Sequence, residues 1–360
     1  MCNALRVGGA ERFISQLVPA LRSRGFDVAV VVLREKGRFF DELEELGISV
    51  RFLEVRSRFD LPGIRKVVKE VGSWPHVVVS QGLDAQLVSQ LVAWRARARH
   101  LTISHLSPQA AISLHRRLLM SLVARWADGV IAVNAVQVPG LVASGFSLER
   151  IRVIDNGVPE PGVSRSADEV RGELGLDADA FMALFVATLR PEKRAEVFVE
   201  AVRNAHEGEP RIHGVVAGGG TEFDAVADRL DPECGITMLG DRSDVANLIA
   251  ASDVVCLTSA YEVSPMVILE AMALAKPVVA TDVGGIPSIV CDGETGILTP
   301  IDEGLSLARA LCELARNPVL AAKMGSAGAR RYKESFSQDL MVDRYVSALD
   351  EQLAQTVSQR

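Results

Sequence analysis

The sequence has no stretch long and apolar enough to cross a bilayer. Its longest apolar runs, such as Val28 to Leu33, are strand-sized, whereas a span needs about 20 consecutive apolar residues. Met1 to Ala10 lacks the apolar core segment of a secretory signal. Cysteine is scarce and scattered: Cys2, Cys234, Cys256, Cys291 and Cys312 show no close paired spacing. That pattern argues against a disulfide framework and a zinc cluster and fits a reducing cytoplasm. There is no short-period repeat, low-complexity tract or nucleic-acid-binding motif. With a net charge of −7, the chain is a poor match for nucleic acid.

What is present is a globular composition of 48% apolar and 24% charged residues. A chain of 360 residues exceeds one ordinary core and suits two domains. The charge is uneven. Residues 1–155 hold 21 basic and 14 acidic side chains, a balance of +7, which leaves −14 for the remainder. Such asymmetry marks a half that meets an anionic surface or ligand, or is surface drift without consequence.

Short β-rich runs alternate with segments of helical spacing. In the first half the runs are Val28–Leu33, Ile48–Leu53, Val77–Ser80, His100–Ser104 and Val130–Val133. In the second they are Phe181–Ala187, Ile212–Ala217, Ile236–Leu239, Val254–Leu257, Pro277–Thr281 and Gly296–Leu298. The intervening helices include Glu11–Arg24, Ile112–Trp126, Val197–His206, Asp244–Ala251 and Pro265–Ala275, and three more close the chain. This alternation predicts parallel sheets with crossover helices. The Pro- and Gly-rich segment Asn156–Ser166 is the natural linker. Only seven residues precede Gly8-Gly9, barely room for the central strand that opens such a domain. Either the first strand is a stub or the true start lies upstream of Met1, and the second is expected.

The strongest chemical signal is Glu262 and Glu270 within TSAYEVSPMVILEAMALAKPVVATDVGG. Pro265 suits a helix start, because its missing N–H would have no partner there. The amides from Met266 through Val267 to Ile268 then form a ready anion site at the helix N-terminus. Glu262 falls on a loop after a strand end, where open α/β sheets bind ligands. Glu270, about one turn into the helix, can accept two hydrogen bonds from vicinal hydroxyls such as those of ribose. Gly8-Gly9 before a helix, and Gly218-Gly219-Gly220 after a strand, let backbone approach a phosphate or sugar closely. Each alone reads more readily as a tight turn, although the strand-end position of Gly218-Gly219-Gly220 favours a ligand contact.

The block from Leu239 to Pro300 resembles the C-terminal signature of glycosyltransferase family 4, retaining enzymes of GT-B architecture. VGGAER near the start, HL at 105–106, VIDNGV at 153–158, LRPEK at 189–193 and VAGGG at 216–220 fall in the family's order. The resemblance implies two doubly wound Rossmann-like α/β domains facing an interdomain cleft. The expected extents are an acceptor-side domain over 1–158, a nucleotide-sugar domain over 159–336, and a terminal helix over 337–360 returning to the first. It assigns the ribose to Glu270, the donor sugar to Glu262 and His105, and the diphosphate to Lys193. Arg190, the amides of Met266 and Val267, and the glycines Gly8, Gly9, Gly218 and Gly219 complete the nucleotide-sugar site. His105, Glu262 and Lys193 are the expected catalytic group. Neither cofactor nor metal is expected: an ammonium can stabilise a departing diphosphate as a metal would, and no Asp-rich motif adjoins these residues. Two positions depart from the family: Thr188 replaces a usual arginine and Val263 a usual glycine.

The implied activity is retaining transfer of a hexosyl unit from a nucleoside diphosphate sugar, with a UDP-sugar foremost, to a hydroxyl acceptor in polysaccharide, lipopolysaccharide or glycolipid synthesis. A non-catalytic nucleotide-sugar-binding subunit and a nucleotide-sugar epimerase are the alternatives. The segment containing Leu118, Leu119, Leu122 and Val123 also carries His115, Arg116, Arg117 and Arg125, with Arg95, Arg97 and Arg99 upstream. It reads either as a core helix with a basic edge or as a peripheral contact with an anionic membrane.

Overall fold

In the computed structural model the described residues are 1–6, 8–105, 114–230 and 234–357. Val7, Leu106 and the first two residues of the expected helix Ile112–Trp126 lie outside them. The chain divides into two compact units, one of Met1–Asn156 joined by the terminal helix, the other of Gly157–Ser337.

The first unit is built on a parallel sheet of seven strands: β1 (Cys2–Ala4), β2 (Ala29–Glu35), β3 (Ser49–Phe52), β4 (Val77–Gln81), β5 (Arg99–Ser104), β6 (Gly129–Ala132) and β7 (Ile151–Val153). Their spatial order is β3-β2-β1-β4-β5-β6-β7. The three-residue β1 sits centrally and pairs with both β2 and β4. Helices cover both faces, so the inner strands are near-continuous apolar runs, as in β2, where Val30 to Leu33 are all buried. Local chemistry sets the helix ends. Asp60 accepts from Gly63 N at 3.0 Å to start Leu61–Val71, and Gly72 ends it at φ 60°.

The terminal helix Gln338–Val357 completes this unit. Its Tyr345 is buried against Phe13, ring centroids 5.8 Å apart. Arg24 pairs with Asp343 and with Asp339, and Gln338 Nε2 donates to Gln16 O at 3.1 Å.

The second unit has six parallel strands: β8 (Phe181–Val186), β9 (Ile212–Ala217), β10 (Ile236–Gly240), β11 (Val254–Leu257), β12 (Val278–Thr281) and β13 (Gly296–Thr299). Their order is β10-β9-β8-β11-β12-β13. The chain runs outward from β8 through β9 to β10, then crosses back to β11 on the other side. The gap between β8 and β11 is thus the topological switch point, where such sheets open a crevice at their C-terminal edge. This unit starts at Gly157, slightly before the boundary expected from sequence. Val158 is fully buried, donates its amide to Phe336 O and accepts from the Tyr332 hydroxyl at 2.9 Å. That segment belongs to the second core.

Candidate functional site

The loops leaving β8, β9, β11 and β12 meet at the C-terminal edge of the second sheet. The β8 loop turns through Pro191–Lys193 and then places Arg194 in the left-handed region at φ 53°. The turn is stapled to the β11 loop from two sides. Ala260 N donates to Glu192 O at 2.8 Å, and Thr258 Oγ1 donates to the carbonyls of Lys193 and Arg194 at 3.0 and 2.8 Å. Lys193 is held there at its backbone, and its ammonium forms an ion pair with Glu262.

Glu262 is fixed three ways. Its carboxylate accepts from Lys193 and from Ser259 Oγ, the latter at 2.9 Å, and its carbonyl accepts from Gly285 N at 3.0 Å. Gly284 makes that last contact feasible. It sits at φ 56°, and a Cβ there would lie 1.9 Å from Glu262 O. Thr281 Oγ1 ties down the same loop by donating to Ser259 O at 2.7 Å. None of Ser259, Thr258 or Gly284 was singled out from sequence. The Gly284-Gly285 pair in ATDVGG was the available signal, because paired glycines after a strand mark close backbone approach.

Pro265 precedes the helix Met266–Ala273 as its N-cap, one position earlier than the first-turn place expected for it. Ile268 N already donates to Pro265 O at 3.2 Å, so the anion-binding amides narrow to those of Met266 and Val267. Glu270 lies one turn into this helix and is only 4% exposed. Val263 is buried, so its side chain turns into the protein rather than into the loop's open side.

The structure draws Lys193, Glu262 and the helix carrying Met266, Val267 and Glu270 into one region, and Arg190 lies on the same loop as Lys193. Its side chain is more than half exposed and its nearest charge is Glu192 at 3.8 Å. Gly218 and Gly219 adjoin the same edge with their amides already in use, donating to Gly240 O and to Asp241 Oδ1, both at 2.7 Å. What their compactness secures is stacking of loops. A Cβ on Gly218 would lie 1.9 Å from Ala187 O, and Leu189 N donates to Gly219 O at 2.7 Å.

Gly8, Gly9 and His105 belong to the first unit. Gly8 caps the helix Gly9–Ser23 in extended conformation, and its carbonyl accepts from Arg12 N at 2.8 Å. His105 follows β5 directly. Its ring packs edge-on to Phe13 at 5.6 Å, its Nε2 is buried without a hydrogen-bond partner, and burial lowers its pKa to about 4. It borders a cavity of about 260 Å³ whose polar lining includes Asn3, Glu11, Gln81 and Gln86. At neutral pH this imidazole is uncharged and can act only through a neutral hydrogen bond.

Two doubly wound parallel sheets, one with an anion-ready switch point, define the GT-B architecture. The comparison with solved structures agrees. The Anabaena protein HepE, crystallised with UDP, aligns with 97% of this chain and 98% of its own at TM-score 0.86 and 25% identity, and its complex with UDP-glucose aligns at TM-score 0.84. Residues 7–160 match the model for Glycosyltransferase Family 4 and residues 166–331 that for Glycosyl transferases group 1. The chain belongs to glycosyltransferase family 4. Curated relatives include the alpha-maltose-1-phosphate synthase of Mycolicibacterium smegmatis, 31% identical over 62% of this chain and 64% of the relative. The D-inositol 3-phosphate glycosyltransferase of Streptomyces coelicolor is 32% identical over 55% and 47%. The chain thus spans less than two thirds of the length of these relatives.

Proposed function

We propose that the protein is a retaining hexosyltransferase using a nucleoside diphosphate sugar as donor. The observation that carries this reading is the pairing of Lys193 with Glu262 beside the N-terminus of the helix that holds Glu270, at the switch point of the second sheet. A diphosphate docking there takes Lys193 over from Glu262 and reaches the amides of Met266 and Val267. Released from the ammonium, Glu262 accepts from a hydroxyl of the donor sugar, while Glu270 accepts from the ribose. His105, neutral at working pH, is the hydrogen-bonding group that the first unit offers the sugar.

In the transfer, the bond from the anomeric carbon to the phosphate oxygen breaks, and the acceptor oxygen bonds to that carbon on the same face. The acceptor's proton goes to the departing phosphate oxygen. Lys193 stabilises the charge that develops there, so no metal is needed. UDP-glucose is the first donor to test, since HepE holds it in the crystal. The acceptor is a hydroxyl of a glycan or lipid-linked saccharide at the cytoplasmic face of a membrane.

The test is thermal unfolding with UDP, GDP or ADP, on the protein and on Glu270→Ala. A ligand at 100 times its Kd adds about 2.7 kcal/mol of stability. One nucleotide should raise Tm, and Glu270→Ala should abolish the rise. No rise with any of the three, or one that survives Glu270→Ala, overturns the assignment. Nucleotide binding without turnover on any acceptor would instead mark a non-catalytic partner.

A further inference from the structure

Between Asp84 and Asp128 the sequence holds six arginines and not one acidic residue, in a chain that is acidic overall. The structure turns most of this window into two packed helices of the first unit, Leu83–Ala96 and Leu114–Trp126. Their outward sides are unusually apolar. Leu91 and Trp94 stand exposed on the first, Leu118, Leu122 and Trp126 on the second, with Trp94 54% and Leu118 60% accessible. Spacings of three and four residues align each set on one helix face. The rings of Trp94 and Trp126 meet edge-to-face at 5.4 Å and join the two rows into one stripe. Exposed arginines flank it: Arg95 and Arg97 at the end of the first helix, Arg117 and Arg125 on the second. Phe59, 77% exposed, lies on a loop tied to this region through Arg58, which bonds His115 at 2.9 Å.

We propose that this stripe is a docking surface for an anionic lipid bilayer. Scattered exposed leucines need no explanation, but a contiguous row with two tryptophans does. Apolar side chains in a basic frame fit acyl chains beneath anionic headgroups, with tryptophan at the boundary. An acidic macromolecule would pair with the arginines and leave the leucines in water. The helices insert shallowly and do not span: no described helix is long and apolar enough to cross a membrane. The surface lies within the first unit and is independent of the donor site, so the inference goes beyond the proposed function.

The experiment is co-sedimentation of the full chain with vesicles of phosphatidylcholine alone and of equal parts phosphatidylcholine and phosphatidylglycerol, with tryptophan emission as a second readout. The protein should sediment with the anionic vesicles only, with a blue shift, and release as salt rises. Each arginine near such a surface strengthens partitioning about fivefold, so Arg95→Glu/Arg125→Glu should bind more than twenty-five-fold more weakly. Leu118→Ser/Trp94→Ser should lose the blue shift. All these side chains are exposed, so Tm and the nucleotide response should hold; Glu270→Ala should bind vesicles like the unmodified protein. No sedimentation with anionic vesicles at low salt, equal binding to both compositions, or a dimer in solution that Leu118→Ser/Trp94→Ser dissolves would each overturn the proposal.

Discussion

The two units share a sheet plan and differ in how their loop edges are made. In the second unit, backbone amides and carbonyls join the loops directly: Ala260 to Glu192, Leu189 to Gly219, Gly285 to Glu262. Among the described residues of the first, side chains share this work, with Asn3 Oδ1 accepting from Ala85 N and Gln81 Nε2 donating to Ala10 O, beside backbone bonds such as those from Leu5 N to Glu35 O and from Phe39 N to Leu5 O. Backbone joints leave little freedom and suit a ligand part that never changes, such as a nucleotide. Side-chain joints can be re-cut by substitution without disturbing the chain path. On the proposed function, rigid fixation of Lys193 and Glu262 is itself part of the chemistry, because preorganised charge needs no rearrangement at the reacting moment.

The sharpest way to break this comparison is Lys193→Ala. If the rigid edge carries catalysis, kcat should fall by about 10² to 10³, the usual loss on removing one transition-state donor, as measured by nucleoside diphosphate release. Next comes a matched pair of glycine substitutions. Gly284→Ala places a Cβ 1.9 Å from a backbone carbonyl at φ 56°, whereas Gly8→Ala meets only the flexible end of Glu11, in extended backbone. Gly284→Ala should therefore lower stability by about 2–3 kcal/mol and weaken nucleotide binding, while Gly8→Ala should leave Tm nearly unchanged. Urea melts of both variants decide it, and equal losses would erase the distinction.

A smaller effect separates the units by pH. Burial lowers the pKa of His100 to about 3 and of His105 to about 4, and both lie in the first unit. In the unfolded chain these imidazoles take up protons near pH 6.5. Between about pH 6.5 and 4 the unfolded state then binds more protons, so stability falls as pH falls through that window. His105→Gln should make the pH dependence of Tm shallower, and an unchanged slope would show that this imidazole does not contribute. The smallest effect belongs to Arg190→Ala. Its exposed side chain, loosely paired with Glu192, should leave kcat/KM within about twofold, in line with the modest worth of exposed pairs.

Much of the fold was legible because buried parallel strands cannot hide their composition. Phe181–Val186 and Val254–Leu257 are apolar on both faces, as is Ile212–Ala217 but for His213, and the latter two runs are bounded by glycine or polar residues. The edge strand Ile151–Val153 escaped because it is three residues long and only partly buried. The helix Arg38–Glu45 escaped because its charge density masks Phe39, Phe40 and Leu43, which face the core. At the site, Glu262, Glu270 and Lys193 stood out through motif order. Their connections did not: Lys193 and Glu262, or Ala260 and Glu192, lie some seventy residues apart in sequence. Only the folded topology brings a loop after β8 against a loop after β11. Arg190 stands out by its spacing, and its side chain is exposed just before the turn at Pro191–Lys193.

The terminal helix has a consequence for how the molecule is made. Tyr345, Met341 and Val342 are interior residues of the first unit, yet a ribosome delivers them only after the whole of the second. The second unit can close as soon as Ser337 has emerged. The first must wait with Phe13 uncovered, and its final contacts link residues more than 300 positions apart, as between Gln16 and Gln338. During synthesis, the half that begins the chain is the last to be finished.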